Sequence, residues 1–132
     1  MDQFKKQLNF WKTSSKRNLE TAEVLLESKR FDSCLYFCHL SIEKFLKCLV
    51  MYRTNKIAPY IHDLERLAII ADLQLSDEHT KQLKTITMFN ISTRYEDIKF
   101  SFYKKCTEAY TKKHFIISKN LYLWLEKQYP IK

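Results

Sequence analysis

Glycine is absent from this chain, and proline occurs only at Pro59 and Pro130. Hairpins and sheets need glycine where a turn enters positive φ, so a glycine-free sequence argues against β structure and for an all-α fold. No apolar run approaches the ~18 residues that mark a membrane-crossing helix, and no charged-then-apolar leader ends in small residues. The expectation is therefore no membrane contact and a cytoplasmic location. At 132 residues the chain is expected to form one domain, residues 1–132, burying roughly two-thirds of its unfolded surface.

Cysteine is also sparse. Cys34, Cys38 and Cys48 fall within one helical stretch, and Cys106 is distant. Side chains at i and i+4 stand about 5–6 Å apart at Cβ, wider than the roughly 3.5–4.5 Å a disulfide requires. A Cys34–Cys38–His39 metal site would lack the second element that usually completes such sites. Buried, reduced thiols are expected, with no metal and no cofactor.

What the chain does have is positive charge: 23 Lys and Arg against 15 Asp and Glu, a net +8. That balance suits a polyanionic partner such as nucleic acid, a nucleotide or an acidic protein. The lysines are dispersed rather than blocked, so part of the excess simply solvates helices.

The stretch Phe31–Tyr52 organises the rest. At 100° per residue most of its circumference is apolar or small, with Phe31, Leu35, Cys38, Ile42, Phe45, Leu46 and Leu49 bounded by Cys34, Ser41 and Cys48. A helix of this kind belongs inside a bundle. Its remaining arc carries Asp32, Tyr36, His39, Glu43 and Lys47 at successive three- and four-residue spacings. Polar side chains so placed are either satisfied by neighbouring helices or face a site.

The other elements follow from periodicity and caps. Phe4, Leu8, Trp11, Ser15, Leu19, Ala22 and Leu26 form the seam of a first helix, about Gln3 to Ser28. The short Lys29-Arg30 connection makes it an antiparallel neighbour of the second. A short third helix is expected over His62–Ala71 with Leu64, Leu67 and Ile70 inward. A fourth is capped by Ser76 with the seam Leu83, Ile86 and Phe89/Asn90. From Ser92 to Tyr103 no period persists, and a loop is expected. The last helix starts at an N-cap Thr107 and runs to about Gln128 along Tyr110, His114, Ile117, Leu121 and Trp124. The predicted architecture is an antiparallel up-and-down bundle of four longer helices plus one short one.

Three pieces, with Trp124-Leu125 closing the final helix, carry a resemblance. They are His39-Leu40-Ser41-Ile42-Glu43-Lys44-Phe45-Leu46-Lys47, then Pro59 followed by His62-Asp63-Leu64, then Thr93-Arg94-Tyr95-Glu96-Asp97. In order and separation the chain resembles the HEPN (higher eukaryotes and prokaryotes nucleotide-binding) domain family. The resemblance implies a helical bundle that dimerises and that is often encoded beside a small nucleotidyltransferase, as a complex or a toxin–antitoxin pair. Many relatives are metal-independent RNases in which an Arg is followed, after four to six residues, by a His.

Here Arg94 matches the Arg, but Lys99, Phe100 and Ser101 stand where the His would fall. A group titrating near neutrality contributes roughly 10²–10⁴-fold to such a reaction, and an unperturbed lysine titrates near 10.4. The loop resembles instead an R-Y-P-D version from a branch without the RNase signature, with Glu96 in place of the Pro. No catalytic residue is assigned. The resemblance implies a non-catalytic nucleotide- or RNA-binding and assembly module, with Arg94, Tyr95, Asp97, His39, Glu43 and Lys47 around its polar site. Arg94 offers a planar fork for phosphate. It could equally clamp the loop to Glu43 or Asp97.

Two rivals remain open: an RNase toxin pairing Arg94 with a non-standard partner, and a purely structural homodimer. For His39, Glu43 and Lys47 the competing reading is an internal ion-pair ladder. His62 and Asp63 read as a cap for the third helix, and His114 as a core or interface histidine. Arg94 is expected to meet the charged edge of the second helix across the bundle.

Overall fold

The computed structural model describes residues 2–92 and 94–129. Its helices are α1 (Asp2–Glu27), α2 (Phe31–Thr54), α3 (Leu64–Ile70), α4 (Asp77–Thr87), α5 (Glu96–Lys105) and α6 (Glu108–Lys127). There is no strand among the described residues. Thr93, part of the loop motif, lies outside them. None of the helices is long and apolar enough to cross a membrane.

α2 is the interior rod. From Cys34 to Met51 most residues are buried, His39, Glu43 and Lys47 included. The antiparallel α1 covers one side of it, presenting the small residues Ser15 and Ala22, both fully buried. Ser15 Oγ donates to the Ser41 carbonyl at 2.6 Å, and Ser41 Oγ donates back to the Ser15 carbonyl at 2.9 Å. Each hydroxyl thus satisfies its own hydrogen-bonding need inside the helix contact.

The α1–α2 turn places Lys29 at φ 61°, closed by Arg30 N–H to the Leu25 carbonyl at 2.8 Å. Glycine is the residue that usually fills such a left-handed position; here lysine fills it. Asn55 and Asp72, both at φ 58°, end α2 and follow α3, and residues of those types tolerate that region better.

α6 also packs on α2, with Phe45 edge-on to Tyr122 at 5.4 Å. Its buried face is Thr111, Phe115, Ser118, Leu121, Tyr122 and Leu125. The expected seam of Tyr110, His114, Ile117, Leu121 and Trp124 is therefore turned by about one position. Phe115, Tyr122 and Leu125 take the core, while His114 and Trp124 lie half-buried at its margin. Both sets recur at three and four residues, and packing against the core, Phe45 included, selects between them.

Caps set the other boundaries. Asp63 Oδ1 accepts from Arg66 N–H at 3.2 Å, Ser76 Oγ from His79 N–H at 3.0 Å, and Thr107 Oγ1 from Tyr110 N–H at 3.2 Å. Each fills one of the donors a helix start leaves open.

α5 corrects the expected loop over Ser92–Tyr103. Glu96 and Asp97 occupy its first turn and Lys104 and Lys105 its last, each sign where the helix dipole favours it. Lys99 adds an ion pair to Glu96 at 3.4 Å. No residue of α5 is buried, and half-buried Phe102 packs on Phe89 with ring centroids 5.7 Å apart. A helix held by its charges and so little apolar contact has no apolar period to read.

Candidate functional site

The i, i+4 spacing of His39, Glu43 and Lys47 puts them on one edge of α2, and the α2–α3 connection folds across that edge. Lys47 Nζ lies 2.9 Å from Glu43 Oε2. From the connection, His62 Nδ1 stands 3.1 Å from both carboxylate oxygens. Only a protonated nitrogen can pair with a carboxylate, so Nδ1 carries the hydrogen. His39 Nε2 is 3.5 Å from Glu43 Oε1 and 3.3 Å from the His62 carbonyl. A carbonyl only accepts, so this nitrogen too is protonated, and His39 Nδ1 is left buried without a partner among the described residues.

Aromatic rings close the cluster. Lys47 Nζ is 5.2 Å from the centre of the Trp11 ring on α1 and 5.7 Å from that of Tyr60, within cation–π range. Tyr60 also packs on His62 at 5.2 Å and is 87% exposed, forming the outer rim. Burial pushes the His39 imidazole below its ordinary pKa, and this outweighs the opposing pull of Glu43. His39 is therefore a neutral donor near pH 7. Glu43, with three nitrogen partners, has its acceptor capacity largely used within the protein.

Arg94 is elsewhere. Its Nε donates to the Asn90 carbonyl at 3.3 Å and its Nη2 approaches Met88 Sδ at 3.9 Å. Among the described residues, no hydrogen bond or ion pair joins it to Glu43 or Asp97. The expected meeting of Arg94 with the charged edge of α2 is thus corrected: the connection carrying Tyr60 and His62 occupies that edge instead. Tyr95, 82% exposed, holds the N-cap position of α5. Asp97 Oδ1 accepts from Ile98 N–H at 2.9 Å.

What Arg94 does line is a cavity of about 350 Å³ bounded by α4, α5 and α6. Phe89, Ile98 and Phe102 supply its apolar wall; Arg94, Lys105 and Tyr110 supply its polar groups. An adjoining cavity of about 300 Å³ shares Thr85 and is lined by Lys81, Lys113 and His114. His114 packs on Tyr110 at 4.3 Å and on Phe89 at 5.6 Å. Burial, with Lys113 and Lys105 nearby, lowers its pKa. Among the described residues no group of three or more His, Cys, Asp or Glu could hold a metal ion.

The sequence model of the HEPN domain matches residues 8–128. This span contains the α2 cluster, His62 and the Arg94 cavity together. The chain belongs to the HEPN domain family. The crystal structure of TT1696 from Thermus thermophilus superposes on it with a TM-score of 0.75. The likeness covers 92% of this HEPN chain and 97% of the other at 17% identity, and it concerns the fold. No curated protein matches the sequence.

Of the expected site residues of this HEPN protein, then, His39, Glu43 and Lys47 come together, and Arg94, Tyr95 and Asp97 do not join them. Asp63 caps α3 as expected, whereas His62 belongs to the Glu43 cluster. Trp11, Tyr60, Lys105 and Tyr110 were not among the expected site residues. The position of Tyr60 between Pro59 and His62 was the available signal, since an aromatic beside a polar motif often closes over it. Nothing in the local sequence pairs Lys105 and Tyr110 with Arg94; only the path of α5 does.

Proposed function

We propose that this HEPN protein is a non-catalytic nucleotide- or RNA-binding and assembly module, forming a homodimer and associating with a small nucleotidyltransferase. The supporting observation is the Arg94 cavity. An apolar wall of Phe89, Ile98 and Phe102 suits a base, and Arg94 and Lys105 beside it suit phosphate. Among the described residues no histidine lines the cavity, and Lys99, five positions beyond Arg94, is paired with Glu96. The Glu43 cluster serves as the support that fixes the α2–α3 connection. Calorimetric titration with nucleoside monophosphates, with Arg94→Ala as control, tests the reading. Arg94-dependent binding supports it; no heat for any nucleotide, with a homodimer in solution, leaves a purely structural dimer.

One observation favours a second reading, a metal-independent RNase. His114, its pKa lowered, packs on Tyr110 and Phe89, two residues of the Arg94 cavity. An imidazole unprotonated near neutrality can accept a proton from a ribose hydroxyl. RNA cleavage abolished by both Arg94→Ala and His114→Ala would replace the non-catalytic reading with this one.

A further inference from the structure

α5 sits on this bundle without burying a residue, and two of its exposed side chains are aromatic. Phe100 is 56% exposed and Tyr103 59%. One helical turn apart, their rings lie 6.3 Å between centroids and 15° from parallel. Lys104 Nζ is 4.7 Å from the centre of the Phe100 ring. Lys105 follows it and lines the Arg94 cavity, so the positive charge runs on from the ring pair to that cavity.

Three kinds of occupant can be weighed by charge. An apolar protein face would have to strip water from Lys104, which has no carboxylate partner among the described residues, without pairing it, which is costly. An acidic peptide would pair the lysines but has no flat groups for two nearly parallel rings. A single-stranded nucleic acid alternates flat bases with phosphates, and so answers rings and lysines together. A duplex keeps its base faces stacked inside and cannot.

We propose that the Phe100–Tyr103 face of α5 is a stacking platform for single-stranded nucleic acid, with bases on the two rings and phosphate on Lys104. The proposal rests on the reading of the chain as a nucleotide- or RNA-binding module. It adds a second surface, outside the Arg94 cavity, and a preference for unpaired strands. Lys105 links the two surfaces, so one strand can occupy both.

The test is fluorescence anisotropy of the full chain with a labelled oligouridylate of roughly a dozen nucleotides. A blunt RNA duplex, polyglutamate and adenosine monophosphate serve as the other arms. Neither ring is in the core, so Phe100→Ala/Tyr103→Ala folds, as thermal melting verifies. It is expected to weaken oligouridylate binding by roughly tenfold or more, with monophosphate binding unchanged. Phe100→Trp, which keeps a stacking face, retains affinity. Lys104→Gln lowers the salt dependence by about 0.7 in the log–log slope.

Oligouridylate binding that ignores the double substitution, or equal binding of the duplex, overturns the platform and leaves the Arg94 cavity standing. Ring-dependent binding of polyglutamate reassigns the face to an acidic protein and overturns it likewise. Conversion of a dimer to a monomer by the double substitution would make the face a contact between copies, and the platform falls with it. Binding of the monophosphate but not the oligonucleotide ends the platform alone. Binding of neither ends both readings.

Discussion

His62 reaches out of the α2–α3 connection and places its Nδ1 3.1 Å from each carboxylate oxygen of Glu43. Through this contact the connection is fastened to the middle of the most buried helix, and Tyr60 and Asp63 are placed with it. Lys47 completes the carboxylate's partners from one turn further along α2.

The side chains of Glu43 and Lys47 are 7% and 6% exposed. Replacing Glu43 by Ala leaves Lys47 buried without a counter-charge. A loss of about 3–5 kcal/mol is expected, since breaking one half of a buried pair costs far more than the pair contributes. Glu43→Leu combined with Lys47→Met recovers most of that loss. Urea unfolding of both variants checks it, and a single variant as stable as the parent would show the pair to be solvated.

Stability should fall on mild acidification. The pKa of His39 is lowered by burial, and that of His114 by burial with two lysines nearby. Between the lowered folded value and the unfolded value near 6.5, the unfolded chain binds more protons. Folding free energy therefore holds above about pH 6.5 and is lost as pH drops through the folded values. How steeply stability falls depends on how far the two folded values lie below about 6.5, and the fully buried His39 contributes more of it than the half-buried His114. Denaturation between about pH 7.5 and pH 5.5 reads it, and His114→Gln reduces the slope.

Lys29→Gly is expected to stabilise the protein. Lys29 stands at φ 61°, where a side chain beyond Cα costs about 1–2 kcal/mol. Glycine removes that cost but returns roughly 0.4–1 kcal/mol of unfolded-state entropy. A net gain of about 0.5–1 kcal/mol follows. Lys29→Ala, which keeps the Cβ, gives no such gain.

Arg94→Lys should not rescue nucleotide binding. Lysine retains the charge but not the planar fork. A loss of roughly tenfold relative to Arg94 is expected for a nucleoside monophosphate. Equal affinity in titration would mean that Arg94 acts as a point charge only.

The thiols should resist alkylation. Cys34, Cys38, Cys48 and Cys106 are unpaired and buried, and burial pushes Cys48 up to about 11 and Cys106 up to about 12. Neither is a thiolate at neutral pH, and the thiolate is the reacting form. Native protein is expected to take up iodoacetamide only at the rate of unfolding. Rapid labelling of any one would reveal an opening at its helix.

The parts of the fold that depend on short-range pattern were readable directly. The α2 circumference announced an interior helix, and Ser76 and Thr107 announced two helix starts that stand where expected. What depends on the path of the chain was not. The same spacing on α6 fits a seam through His114 or one through Phe115, and only packing against the core chooses. The ladder His39, Glu43, Lys47 was visible as a stripe, yet its outside partner could have been Arg94 as well as His62. Both would pair with a carboxylate; the connection after Pro59 decides it by lying across the edge of α2.

The exchange between Ser15 and Ser41 fixes more than a contact. Each hydroxyl uses the other residue's carbonyl, so sliding α1 along α2 by one turn, about 5.4 Å, severs both links at once and orphans two dry oxygens. The two longest helices therefore have a single permitted axial alignment. That alignment also holds Trp11 beneath Lys47, so a slip of the two helices would unseat the charged cluster as well.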